Sequence, residues 1–377
     1  MRNVEIQMVD LKTQYHRLKS EIDEALNKVI ENGIFIQGPP VSKFSSELSE
    51  YLDCKNVIPC ANGTDALQIA MMACGFKPGD EVIVPAFTYV ATVEVIALLG
   101  LVPIFVDVNE NDFNINIEAL SESITERTVG IVPVHLFGQC ADMDKIMAIA
   151  DENNLKVIED TAQAIGSVYF HKNATTQFAG TIGDIGTTSF FPSKNLGCFG
   201  DGGALMTNSG DHAKQCRMIA NHGQSEKYIH DIIGVNSRLD TLQAALLSVK
   251  LKELNDFSKR RQLVADRYDV GLKDISEIIT PHRNSYSTHV FHQYTVQIEG
   301  GNRDDLKKYL HEKQIPSMIY YPIPVHLQKA YNQYGYKTGQ FPIAESLCKK
   351  VLSLPIHTEM HTDQQEYIID NIRSYFK

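Results

Sequence analysis

The sequence has no basic excess, no paired-cysteine spacing, no long apolar run and no linker or repeat, and each absence removes a class of function. Lys and Arg number 35 against 46 Asp and Glu in 377 residues, a formal charge of -11. Binding a phosphate backbone needs a basic face, so nucleic acid is not expected as a general partner, and an anionic substrate would need a local basic pocket. The seven cysteines, Cys54, Cys60, Cys74, Cys140, Cys198, Cys216 and Cys348, show no CxxC spacing. Their odd number suits a reducing compartment, their thiols read as buried or idle, and no metal site is expected. The most apolar stretch, Val95 to Val106, is too short to span a bilayer and is broken by Gly100 and Pro103. It reads as a helix end followed by a strand, with no membrane anchor. Met1 to Leu11 contains no apolar run, so no signal peptide is expected and the location is read as cytoplasmic.

With 43% hydrophobic residues the chain can bury a sizeable core. The first two-thirds alternate short apolar runs with helix-like segments, the pattern of an α/β fold. Candidate strands are Lys55–Cys60, Glu81–Pro85, Val102–Val108, Gly130–His135, Lys156–Glu159, Thr187–Phe191 and Gly203–Thr207. Most are rich in Val and Ile, as doubly covered strands should be. Too few residues separate the last two for a helical crossover, so that pair is expected to be antiparallel in a mostly parallel seven-stranded sheet. From Arg238 to about Lys273 the sequence reads as long helix bridging to a second unit. A large domain over 1–255 and a small α/β domain over 256–377 are expected.

Ligands of an open α/β sheet bind beyond the carboxyl ends of its strands, so the residues that follow each strand matter most. After the first come Ala61-Asn62-Gly63-Thr64-Asp65, leading into an apolar-periodic helix from Ala66. A small-residue turn at a helix start offers free N–H groups to a phosphate, although Asn-Gly is also an ordinary turn and Thr64 an ordinary N-cap. After the second strand come Pro85-Ala86-Phe87-Thr88-Tyr89, where Phe87 continues the strand into the core and Tyr89 is the candidate to stack on a flat ring. His135, after the fourth, reads as a secondary wall residue. The fifth ends in Glu159-Asp160-Thr161-Ala162-Gln163. Asp160 there is either a helix cap or a carboxylate in need of a cation, which a protonated pyridine nitrogen would supply. The sixth ends in Ser189-Phe190-Phe191-Pro192-Ser193-Lys194, and a lysine in a turn between two buried strands is out of place as a surface residue. A desolvated amine loses its proton and becomes a carbonyl nucleophile. Pyridoxal phosphate accounts for the whole set: an aldehyde for Lys194, a ring nitrogen for Asp160, a face for Tyr89, and a phosphate for Gly63, Thr64 and Ser189.

With Gln37-Gly38-Pro39, Asn236-Ser237-Arg238-Leu239-Asp240 and Tyr320-Tyr321-Pro322-Ile323-Pro324-Val325-His326 added, the chain resembles, over nearly its whole length, the DegT/DnrJ/StrS family of sugar-nucleotide aminotransferases. The resemblance implies the fold-type I aspartate-aminotransferase architecture, a homodimer with shared active sites, and glutamate as amino donor. It makes Lys194 the attachment lysine and places Asp160 at the pyridine nitrogen, Gln163 at the ring hydroxyl, and Ser189, Gly63 and Thr64 at the phosphate. Asn236 would reach the phosphate of the other subunit's cofactor and Arg238 the substrate, while Tyr320, Tyr321 and His326 would help line the sugar pocket. A branch with histidine in place of the lysine dehydrates sugars, and Lys194 argues against it.

Within the family, Met8-Val9-Asp10-Leu11 and Ile131 to Met143 look most like enzymes that aminate UDP-2-acetamido-2-deoxy-3-oxo-glucuronate for bacterial surface polysaccharide, the O-antigen. Related branches aminate the 3-oxo or 4-oxo carbon of dTDP-linked 6-deoxysugars. An amino-acid aminotransferase of the same fold would clamp a second carboxylate with arginine, and the small domain offers few: Arg283, Arg303 and Arg373. A regulator that binds the cofactor without turnover is the reading from another class, and intact Lys194, Asp160 and Gln163 oppose it.

Overall fold

Seven of the apolar runs form one sheet in the computed structural model, which describes residues 5–377; residues 1–4, part of the amino-terminal stretch read above, lie outside the described residues. The strands are β1 (Asn56–Cys60), β2 (Glu81–Pro85), β3 (Val102–Val106), β4 (Thr128–Ile131), β5 (Lys156–Asp160), β6 (Ile185–Ser189) and β7 (Gly203–Thr207). Their order is β1-β7-β6-β5-β4-β2-β3. Every pairing from β6 to β3 is parallel, and β7 runs against both neighbours, β1 and β6. The expected antiparallel pair is therefore present, because a turn of this length reverses the chain where a parallel crossover would need a helix. β2 and β7 are buried along their full length, as strands covered on both faces must be.

Helices pack on both faces. The first after β1 is α1 (Gly63–Ala73), which buries Ala66, Leu67, Ile69, Ala70 and Met71. It starts three residues before the expected Ala66, because Asn62 caps it by accepting the Asp65 N–H at 2.8 Å. After β2 comes α2 (Ala91–Leu98). The long helix expected over 238–273 is two, α3 (Thr241–Leu251) and α4 (Leu254–Leu272), interrupted at Lys252–Glu253, a break with no Gly or Pro to announce it. Leu254 and Phe257 of α4 belong to a core shared with α3, whereas Val264, Ala265, Tyr268 and Leu272 belong to the carboxyl-terminal core. That core lies on a three-stranded antiparallel sheet of β8 (Ile278–Ile279), β9 (Tyr294–Ile298) and β10 (Val351–Leu354). Among the described residues no helix is long and apolar enough to cross a membrane.

Candidate active site

The carboxyl ends of β1 and β6 meet because of glycine. Gly203 opposes Cys60 of β1 and Ser189 of β6, and a Cβ on it would lie 2.5 Å from the backbone of Asn62. A Cβ on Gly63 would lie 2.8 Å from Ser189 Cβ. The start of α1 and the end of β6 thus close on each other as only glycine permits. With the Asn62 side chain spent on Asp65, the Gly63 and Thr64 N–H groups are left over at the positive end of an eleven-residue helix. Thr64 is in the first turn and is not the cap. The turn and Ser189 fit a phosphate.

Asp160, at the end of β5, is 6% exposed and has no ion-pair partner among the described residues. Its Oδ2 accepts from Thr92 Oγ1 of α2 at 2.8 Å, and Oδ1 from Ala162 N–H at 3.1 Å. Two neutral donors under-serve a buried carboxylate, and a cationic ring N–H would complete its set. Lys194 sits in the turn between β6 and β7, closed by its own N–H to Phe191 O at 2.8 Å. The side chain is half-buried and its amine has no hydrogen-bond partner among the described residues. Burial pushes the amine down to about 8, against the opposing pull of the Asp160 charge. A pyridoxal ring fits between this amine, made easier to deprotonate by burial, and a carboxylate without an ion-pair partner among the described residues.

Gln163 supplies the third contact. Its Oε1 accepts from Phe137 N–H at 2.7 Å and its Nε2 donates to Tyr321 Oη at 3.1 Å, so the amide has one orientation and one Nε2 proton left for a ring oxygen. The Tyr321 ring packs against Phe87 at 6.0 Å and against Tyr89 at 6.1 Å, with Tyr320 beside it at 5.9 Å. Tyr89 is 56% exposed and Phe87 is buried, both beyond the end of β2 at Pro85.

Three predicted residues lie apart from this group. His326 is 1% exposed, with Nε2 3.3 Å from Glu345 Oε1 and its ring against Phe105 and Phe341. Asn236 is exposed, and Arg238 lines an open cleft of about 740 Å³ outside β1, beside Lys55, Lys214 and Arg217. Arg238 makes no ion pair or side-chain hydrogen bond among the described residues, although Ser237 between them accepts the Ala61 N–H at 3.0 Å.

His135 is a correction. It does not wall the site: it is fully buried and its Nε2 lies 2.9 Å from Glu159 Oε2, while Nδ1 accepts from Ala141 N–H at 3.1 Å. Glu159 also accepts from the N–H groups of Gly180, Ile182 and Gly183 at 2.9, 2.7 and 2.7 Å. Burial pushes its carboxyl up, yet His135 and these N–H groups together hold it below the usual range. The pair pins the rim on which Asp160 stands. The three arginines considered for a carboxylate clamp are all engaged. Arg283 pairs with Asp266 and Asp269, Arg303 holds the carbonyls of Cys348 and Val351, and Arg373 holds that of Gly271.

The chain is similar to known proteins over nearly its whole length. The family model for DegT/DnrJ/EryC1/StrS aminotransferases matches residues 16–373. A relative from Geobacillus stearothermophilus, 44% identical over 99% of both chains, is named a pleiotropic regulatory protein. Another, from Pseudomonas aeruginosa, is a UDP-2-acetamido-2-deoxy-3-oxo-D-glucuronate aminotransferase, 43% identical over 95% of this chain and 96% of its own. Among solved structures, DesV of S. venezuelae in complex with a ketimine intermediate is 37% identical, with a TM-score of 0.95 over 99% of both chains. By a match that runs almost from end to end, the chain belongs to the DegT/DnrJ/EryC1/StrS aminotransferase family.

Proposed function

We propose that the chain transfers an amino group from glutamate to the keto carbon of UDP-2-acetamido-2-deoxy-3-oxo-glucuronate, for bacterial surface polysaccharide. It is a sugar aminotransferase and its cofactor is pyridoxal phosphate. The observation that carries the reading is the partnerless Lys194 amine next to the buried, unpaired Asp160.

When bound, pyridoxal phosphate supplies an aldehyde carbon and an electron-accepting ring. Lys194 would hold the first and, with its amine pushed down to about 8 by burial, take and return a proton at the substrate carbon. Asp160, oriented by Thr92 and Ala162, would keep a proton on the ring nitrogen. Gln163 would offer its remaining N–H to the ring oxygen, Gly63, Thr64 and Ser189 would receive the phosphate, and Tyr89 would cover a face of the ring. Tyr320 and Tyr321 would border the sugar side, while His326 packs apart from them on Phe105 and Phe341.

Asn236 and Arg238 act on the partner subunit's site in this reading: one is exposed, and the other is a cation without an acidic partner among the described residues. A homodimer follows, working in the cytoplasm, each chain divided near residue 255. The uronate substrate rests on the Pseudomonas relative and on the motifs that resemble such enzymes. The regulatory name of the Geobacillus relative favours turnover-free binding, but the full set Lys194, Asp160 and Gln163 favours catalysis.

Purified protein with glutamate should aminate the UDP-linked 3-oxo-uronate from a panel that includes dTDP-linked 3-oxo and 4-oxo sugars, with the product identified by mass and NMR. Turnover of dTDP-linked sugars alone overturns the substrate. No turnover of any, with a cofactor band that glutamate leaves unchanged, overturns catalysis.

A further inference from the structure

Asn195, next to Lys194, is 4% exposed and donates from Nδ2 to Val290 O at 2.9 Å. Val290 lies in a short strap, residues 289–293, that leads into β9. The strap also grips the loop after β4: Val290 N–H donates to Gly138 O at 2.8 Å, and Gln293 N–H to Phe137 O at 3.4 Å. Gly138 has φ +114°, and a Cβ there would lie 2.8 Å from Phe291 N, so only glycine lets these backbones meet. Phe137, itself left-handed at φ 58°, aims its N–H at Gln163 Oε1. A left-handed non-glycine residue persists only where its surroundings over-determine it, and the strap supplies that constraint.

From the other side the strap is held by buried Arg261 of α4. Its guanidinium donates to Phe291 O at 3.0 Å, to His292 O at 3.3 Å and to Ile356 O at 3.1 Å. His289 accepts the Phe291 N–H on Nδ1 at 3.0 Å, and the two rings stack at 3.8 Å. One rigid segment therefore reaches Gln163 through Phe137 and the Lys194 turn through Asn195.

We propose that Asn195 is a positioning residue for the reaction, its bond to Val290 locking the Lys194 turn to the strap that also aims Gln163. The amine and the amide then keep one separation, and a displacement of about 1 Å is enough to cost on the order of 100-fold in rate.

The inference rests on the reading of Lys194 and Gln163 given above, and the two fail separately. Borohydride reduction of the holoenzyme and peptide mapping come first: a cofactor joined elsewhere than Lys194 overturns that reading. With attachment at Lys194, the variants Asn195→Ala and Asn195→Asp, which keeps the size but not the Nδ2 donor, are compared with Gln163→Ala and with the double variant Asn195→Ala, Gln163→Ala. Expected for both single changes at Asn195 are a kcat on the order of 10- to 100-fold lower per bound cofactor, little change in KM, and a moved pH midpoint of the holoenzyme's absorbance band. The double variant should lose less than the product of the two single losses. A merely structural Asn195 would lower melting temperature and leave kcat per bound cofactor and the absorbance midpoint in place, which overturns the inference. Losses that multiply within a factor of about two overturn it as well.

Discussion

Lys194 should titrate far below an ordinary lysine in the cofactor-free protein. Burial moves its amine from 10.5 to about 8, and at pH 7 that difference raises the free-base fraction about 300-fold. The cause is desolvation, which disfavours the charged form; the negative Asp160 opposes it and keeps the midpoint from falling further. Removing that charge should therefore lower the midpoint below 8. Competitive labelling with trace acetic anhydride across pH 6–11, quantified at the Lys194 peptide by mass spectrometry, reads the midpoint in wild type and Asp160→Asn. Exposed lysines in the same digest serve as the reference near 10.5. A wild-type midpoint above 10, or an Asp160→Asn midpoint that moves up, would refute the reasoning.

Gly63→Ala should weaken cofactor binding on the order of 10- to 100-fold, because the new Cβ would lie 2.8 Å from Ser189 Cβ and must push the turn and strand end apart; unchanged affinity by fluorescence titration counts against the cradle. Lys250, 1% exposed and donating to Gly197 O at 2.8 Å, is pushed down to about 8 by burial. Between about 8 and 10.5 the unfolded chain holds the Lys250 proton more strongly than the folded one. Stability attributable to this residue should therefore rise with pH across that window by ~3 kcal/mol, and Lys250→Met should lack the rise in urea denaturation; parallel pH curves would contradict this. Mixing inactive Lys194→Ala chains with inactive Arg238→Ala chains should restore one working site per mixed dimer, and confirmed subunit exchange without returning activity would assign Arg238 to its own chain.

The parts of the site that are backbone-directed consequences of strand ends were legible in the sequence. Lys194, Asp160, Gln163, Gly63 and Ser189 each stand at or shortly after the end of a strand, and the sheet gathers those ends on one side. Partnerships across the fold were not legible. Thr92 reads as an ordinary residue in the first turn of α2, and nothing local says that its hydroxyl faces Asp160. His135 and Glu159 looked like independent strand-end polar residues, and only the parallel neighbours β4 and β5 bring them together. The break at Lys252–Glu253 escaped notice because both sides keep helical composition, and the interruption is set by the two cores that α3 and α4 serve. Phe137 gave no signal of its left-handed backbone, since glycine or asparagine is the usual mark of that conformation.

The reversal of β7 has a further consequence for how the reactive amine responds to heat. Both ends of the Lys194 turn are anchored in interior strands, with Phe190 N–H donated to Gly202 O at 2.7 Å and Cys198 N–H to Phe190 O at 2.8 Å. These amides lie in a unit that cannot fray from a terminus, so their exchange with deuterated water requires opening of the sheet as a whole. The lysine should therefore be carried by one of the slowest-exchanging parts of the molecule, and thermal inactivation should follow global unfolding instead of local loosening around the amine.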